Sequence, residues 1–424
     1  MKKRSLVVAI VFLVTGFWVN GAFAGEMDIL VEKLVQKGVI NSGDAREILK
    51  EVKEEAKKER ETIVEETKAS LKNEGSLTLN FPGWVERTKL KGDLRLRYQN
   101  EDRHTSAVND GKVDRNRSRY RLRLGFVTQV TDKIDVGFGL ATGSDDPRST
   151  NQTMDNGFDT PDIRLDYAYV SYKPFEGVTL TGGKMSNPLW RPSDLLWDGD
   201  IMPEGGAIHF SKKMENAELF LTGCAWLLDE WSNDSNDPYM LVVQPGYKLN
   251  LGDSAYFKNA VAYYSLINVN DNDGGNSVPN RAGTNTLMDK DLDFFAVSAE
   301  LGLKTSIDNI PFVALFGEYV NNMSTSDEDT GYLAGIKIGH EKVKKAKQWQ
   351  FKALYRELEQ DAWYDGFPDS DSYGGDTGVK GPEFVFTYGL AKNVSLGLDY
   401  YKMEQINGPS EKEDLIQVDL NFKF

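Results

Sequence analysis

The run Arg117-Ser118-Arg119-Tyr120-Arg121-Leu122-Arg123-Leu124-Gly125-Phe126 leaves few folds open to the chain that carries it. A period of two sends Tyr120, Leu122, Leu124, Phe126 and, further on, Val130 to one side, and Arg119, Arg121, Arg123, Gly125 and Gln129 to the other. That is the pattern of a β-strand, not of a helix. Alternate guanidiniums on a strand sit about 7 Å apart, where like charges repel by about 0.6 kcal/mol in water and many-fold more in a dry interior. The arginine face is therefore expected to be wet. The apolar face suits either a soluble core or lipid, and the rest of the chain has to choose between them.

A chain of 424 residues suggests two or three ordinary domains unless one large closed barrel takes most of the length. With 39 glycines, 11% aromatic residues and a mean hydropathy of −0.47, any membrane span has to be built from strands and not helices. The one long apolar run, residues 6–19, follows Lys2, Lys3 and Arg4 and precedes Ala22-Phe23-Ala24, the three-part layout of a secretory signal cleaved after Ala24. Losing those three cations takes the formal charge from −15 to −18, which argues against a nucleic-acid partner. Cys224 stands alone, so there is no disulfide framework and no pair of cysteines for covalent haem. His104, His209 and His340 lack ligand spacing, and no metal or other cofactor is expected.

Residues 26–72 carry a helical pattern, with one apolar stripe at Leu30, Leu34 and Val35 and a second at Ile48, Leu49, Val52, Ala56 and Ile63. So narrow a stripe suits a coiled coil or another envelope component, or else a solvated spacer. Gly75, Pro82 and Gly83 mark a linker. From Leu90 the period becomes two and stays there through about sixteen segments, the last being residues 416–424. Their connections alternate in length. Tight ones such as Thr131-Asp132-Lys133 and Ala391-Lys392-Asn393 take turns with long polar ones such as residues 143–161, 186–204, 268–290 and 359–380. A soluble sandwich has no reason to keep this rhythm, whereas an outer-membrane barrel has one, with short periplasmic turns and long external loops. Aromatic residues near segment ends, among them Tyr98, Tyr120, Tyr169, Tyr319, Trp349, Tyr388, Tyr400 and Tyr401, suit interfacial girdles. The expected fold is an antiparallel transmembrane β-barrel of about 16 strands with an N-terminal helical segment: signal peptide 1–24, periplasmic helical or coiled-coil segment 25–75, linker 76–88 and barrel 89–424.

These stretches resemble the "Putative porin" family of Gram-negative bacteria. The likeness rests on Lys89-Leu90-Lys91-Gly92-Asp93-Leu94-Arg95-Leu96-Arg97-Tyr98, the arginine strand, Ala141-Thr142-Gly143-Ser144-Asp145-Asp146-Pro147-Arg148-Ser149-Thr150-Asn151-Gln152-Thr153, Gly183-Lys184-Met185-Ser186-Asn187-Pro188, Asp194-Leu195-Leu196-Trp197-Asp198 and a carboxy-terminal aromatic strand ending at Phe424. The resemblance implies an outer-membrane channel surrounded by lipid and passing small hydrophilic solutes, with a homo-oligomer, often a trimer among large porins, as its assembly.

A sixteen-stranded barrel leaves an aqueous lumen whose selectivity follows bore and wall charge. If Thr131-Asp132-Lys133 is the turn, Gly125 lies opposite Gly139 and Arg123 opposite Ala141. Arg119, Arg121 and Arg123, with Arg95 and Arg97 beside them, then form a cationic wall patch that favours anions, tempered by Asp93, Asp135, Asp162, Asp166 and, among them, Arg164. The opposite side of a constriction is assigned to residues 186–204, the third external loop, with Trp190, Arg191, Asp194, Trp197 and Asp198; packing on the rim or a subunit contact is the other reading of that loop. The Asp/Gly-rich runs 271–276 and 369–376 do not have the spacing of a helix-loop-helix calcium site and are expected to be solvated loops. An enzyme would need a nucleophile and a base, for which His209 and Ser211 are the nearest pair. No enzymatic activity is expected. The alternative functions are a structural anchor whose helices tether the envelope, or a sheath for a partner protein.

Overall fold

The chain divides into two units, Met1–Phe81 and Pro82–Phe424. The structure, a computed structural model, describes residues 83–104, 112–230, 235–269, 291–407 and 411–424, besides Gly43 and Ser232. The signal peptide, the helical segment, most of the linker and most of loop 268–290 lie outside the described residues.

After a single helical turn, α1 (Gly83–Glu86), sixteen long strands follow in order. They are β1 (Thr88–His104), β2 (Lys112–Thr131), β3 (Ile134–Ala141), β4 (Arg164–Tyr172), β5 (Val178–Lys184), β6 (Glu204–Lys213), β7 (Ala217–Leu227), β8 (Tyr239–Leu251), β9 (Ala255–Ile267), β10 (Leu292–Ile307), β11 (Ile310–Asn322), β12 (Thr330–Gly339), β13 (Trp349–Leu358), β14 (Val379–Ala391), β15 (Val394–Gln405) and β16 (Lys412–Lys423). Each pairs antiparallel with its sequence neighbours, and β16 returns to β1, so the sheet closes and no edge is left. A two-residue strand, Gln152–Thr153, is added to β2 from the loop after β3. Phe424 completes the closure by exchanging backbone hydrogen bonds of 2.9 and 3.0 Å with Gly92, where its ring lies over the space a Cβ would fill.

The alternation sorts each strand's side chains between two environments. Leu96, Leu122, Leu124, Val170, Leu221, Leu315, Phe384, Leu398 and Val418 are exposed on the outside, around the whole ring. A water-soluble surface does not carry an apolar belt of this extent, and a bilayer requires one. Tyr98 and Tyr319 are exposed as a girdle needs, but Tyr169 and Tyr401 are not. Tyr169 turns inward over Gly137, and Tyr401 is buried beneath Arg356. Both sit on the inward parity of their strands, which proximity to a strand end does not reveal.

The tightest connections, such as those after Thr131, Leu251, Ile307 and Ala391, leave from the end that holds Thr88 and Phe424, and the long loops 142–163, 185–203 and 359–378 from the other. The interior of the barrel is two-sided. From β7 to β13 the inner wall is apolar near the loop end, with Trp226, Met240, Tyr264, Phe294, Phe316 and Leu354 in one buried cluster. Around β14, β16, β1 and β2 it is charged.

Candidate functional site: the arginine ladder and the loops packed against it

The register that sets the ladder is as the turn predicts over β2 and β3, with Gly125 opposite Gly139 and Arg123 opposite Ala141. A bulge between Gln129 and Thr131 places Thr131, not Val130, against Ile134. On the other side Arg95 faces Arg121, Arg97 faces Arg119 and Asp93 faces Arg123. Five guanidiniums thus share one patch of inner wall, as sequence parity requires. The glycine strip beside them is not bare: Tyr167 from β4 lies across Gly125 and Gly139, so closely that a Cβ on either would meet its ring.

The ladder is not wet in the way like-charge repulsion alone suggests. Arg97 is only 4% exposed. Carboxylates take the place of water. Arg97 donates from Nε and Nη2 to the two oxygens of Asp419 at 2.7 and 2.8 Å, and from Nη1 to Asp371 at 2.9 Å. Asp93 receives Arg121 at 2.8 Å on one oxygen and Arg123 at 2.8 Å on the other. Asp200 approaches Arg123 at 3.2 Å and Arg121 at 3.7 Å from the opposite side. Two-sided pairing of this kind is what lets neighbouring guanidiniums remain charged away from water.

Two arginines escape that pattern. Arg119 has no carboxylate within ion-pair distance among the described residues; its donors go to Gln99 Oε1 at 3.5 Å, Ser149 Oγ at 3.4 Å and the Asn151 carbonyl at 3.2 Å. Arg95 donates to Asn151 Oδ1 at 2.6 Å and reaches Asp419, already bidentate on Arg97, only at 3.6 Å. The Nε atoms of both are buried without a hydrogen-bond acceptor.

Three loops bring the opposing groups. Residues 185–203 fold inward: the Trp190 backbone is held at both ends by Gln244, its N–H to Oε1 at 2.8 Å and its carbonyl from Nε2 at 2.9 Å. Trp197 is buried against Trp226, Tyr264, Trp363 and Phe367. The apolar wall from β7 to β13 explains the inward fold, because it offers Leu189, Leu195, Leu196 and Trp197 a surface out of water. Asp194 binds Arg356 at 2.9 Å, and Asp198 accepts the N–H groups of Asp200 and Ser370 at 2.8 and 2.9 Å.

The second loop, residues 359–378, corrects an expectation. Its Asp/Gly run is not solvated: Asp369, Ser372, Tyr373 and Thr377 are buried, and Asp371 reaches the ladder. Trp363 donates to the Leu196 carbonyl at 2.7 Å and the Asp198 N–H to the Phe367 carbonyl at 2.7 Å, so this loop and the one at 185–203 form one layer. Trp363, Tyr364 and Phe367, just ahead of the acidic run, were the signal for it. The third loop, between β3 and β4, is pinned by Arg148, which is buried and donates to the Gly375 carbonyl at 3.0 Å, and by Thr150, whose N–H and hydroxyl both reach Asp200, at 3.0 and 2.8 Å.

Other expected site residues lie apart. Asp135 pairs with Lys173 near the short-turn end, and Arg164 pairs with Asp145 and Asp162 at the rim. Asp166 lines a cavity of ≈ 450 Å³ with Thr150, Lys184 and Asp200. No direct contact ties Arg191 to the ladder. Asp194, Asp369 and Glu383 come within 4.8 Å of one another, a spacing open to a metal ion, but Arg356 and Lys352 supply the cations there. His209 contacts Thr222 at 2.9 Å and Ser211 donates to Glu218 at 2.7 Å, so neither activates the other.

The model of a protein family described as "Putative porin" matches residues 100–300 and 298–424. No curated protein matches the chain. Among solved structures, OprB of Pseudomonas putida superposes with a TM-score of 0.52 at 10% identity over 81% of this chain and 96% of that one. OmpF of Salmonella typhi, solved with daunomycin, gives 0.49 at 13% identity over 80% and 97%, and the outer membrane channel DcaP of Acinetobacter baumannii 0.46 at 14% over 80% and 97%. At such identities the likeness to OprB speaks for the fold alone.

Proposed function

Since the chain belongs to the "Putative porin" family, whose barrels are channels of the outer membrane, we propose that it passes small hydrophilic solutes along the arginine ladder, between the β1–β2 wall and the three inward loops, with a preference for anions. The observation that carries this reading is the imbalance on the ladder. Asp93, Asp200, Asp371 and Asp419 are shared among five guanidiniums, and Arg119 has only neutral partners among the described residues. An uncompensated cation in a confined aqueous path concentrates anions and repels cations. The short turns and the two chain ends of the barrel, Thr88 and Phe424, are assigned to the periplasm, the long loops to the outside, residues 25–75 to a periplasmic helical segment, and a homotrimer to the assembly.

Reversal potentials in a KCl gradient across planar bilayers test the preference. Arg119→Gln is the informative variant, because removing Arg121 or Arg123 also takes away one of the two counter-charges that Asp93 and Asp200 share. The chloride-to-potassium permeability ratio is expected to fall in Arg119→Gln, and an unchanged ratio removes the ladder from selectivity.

A further inference from the structure

We infer that Arg95 and Arg119 form a binding subsite for the carboxylate group of a small solute, and that Asn151 fills that subsite here. The inference rests on the channel reading and names the solute class it would serve. Every other arginine of the ladder is satisfied by an ionised oxygen at 2.9 Å or less. These two are met instead by two carbonyl oxygens of a single residue, the side-chain oxygen of Asn151 on Arg95 at 2.6 Å and its backbone oxygen on Arg119 at 3.2 Å. A hydrogen bond from a guanidinium to a carboxylate is roughly twice as strong as one to a neutral amide. The arrangement therefore pairs two strong donors with weak acceptors, and an arriving carboxylate improves on what it displaces.

Their surroundings favour exchange over permanent pairing. Arg119 opens onto a cavity of ≈ 330 Å³ that also presents Gln99, Arg117 and Ser149, and the Nε donors of Arg95, Arg117 and Arg119 have no acceptor. Arg117 is itself paired with Glu101 at 2.8 Å, and Asp146, Asp371 and Glu413 also line the cavity, so a solute of high charge density meets repulsion beyond Arg119. The Asn151 side chain can turn away from Arg95 while its backbone stays in place, because Thr150 is held on Asp200 and Gln152–Thr153 pair with β2. Planar carboxylates fit the fork of a guanidinium, which sets the class of ligand.

Succinate and its uncharged isostere succinamide are the probes. Binding to the detergent-solubilised full chain is measured by calorimetry, which needs no conduction, and current interruption by single-channel recording. Succinate is expected to bind and to interrupt the current, and succinamide to do neither. Arg119→Gln is expected to weaken succinate binding about tenfold or more, the loss of one charge-assisted hydrogen bond. Asn151→Asp, which fills the subsite with a carboxylate of the chain's own, is expected to weaken it at least as much. Equal binding of succinate and succinamide, no binding of either, or unaltered succinate affinity in both variants would overturn the subsite. A chain that binds succinate as expected but shows no conductance would instead overturn the channel reading and leave the subsite standing.

Discussion

Asp419 shows how much one carboxylate decides on this inner wall. It is buried, bidentate on Arg97 and within 3.6 Å of Arg95. Asp419→Asn keeps the shape and removes the charge, which leaves Arg97 with Asp371 alone. Breaking one side of a buried pair typically costs about 3–5 kcal/mol, and because Asp371 remains the lower end is expected. Urea unfolding from lipid vesicles checks it; a loss below about 1 kcal/mol would mean that water solvates the ladder after all. Asp198 makes a pH-dependent prediction. Burial, reinforced by Asp200 and opposed by the N–H groups of Ser370 and Asp200, pushes its carboxyl up to about 7. An acid raised in the folded chain binds its proton more tightly there than when unfolded. Its favourable contribution is therefore complete below about pH 4 and is lost as the pH rises through about 7. The contact between the two inward loops should be tighter at pH 5 than at pH 8, seen as greater protection of the Ser370 amide once intrinsic exchange is corrected for. In Asp198→Asn, that difference should vanish.

The inward loops are elements held by an apolar wall, and Trp197 is the side chain on which they converge. It is 2% exposed and stacks on Phe367 at 4.6 Å, with Trp226 and Trp363 edge-on at 5.4 and 6.0 Å. Trp197→Ala is expected to cost about 3–5 kcal/mol of loop stability through the cavity left behind, while the strand ladder, which does not depend on it, persists. The observable is a rise in conductance and current noise with unchanged far-ultraviolet circular dichroism. A silent phenotype would show that the loops are held by their polar contacts, among them Trp190 with Gln244 and Asp194 with Arg356. The inward fold of residues 185–203 could be anticipated from Pro188, Leu189, Trp190, Leu195, Leu196 and Trp197, since a loop so apolar does not stay in water. That of residues 359–378 was marked only by Trp363, Tyr364 and Phe367, because the acidic, glycine-rich run after them reads as solvated until Arg97 and Arg356 are placed around it.

For the whole barrel the decisive proposition is that the exposed apolar belt faces acyl chains. Leu122, near the middle of β2 and exposed outward, tests it. Leu122→Arg is expected to cost about 2–4 kcal/mol for refolding into lipid vesicles, as for a cation placed at the bilayer midplane. On a surface facing water the same change would stay within about 0.5 kcal/mol, and that result would sink the membrane reading.

Sixteen strands, their inward and outward faces, the alternation of short and long connections and the arginine-lined wall were all legible in the chain alone. Each is written in local periods of two and in nearest-neighbour spacing, which closing the sheet leaves unchanged. The identity of the counter-charges was not. Arg97 finds Asp371 and Asp419 at sequence separations of 274 and 322, partners that exist only because the last strand hydrogen-bonds to the first and a distant loop turns into the interior. Local pattern decides which way a side chain points; only closure of the ring decides what it meets there.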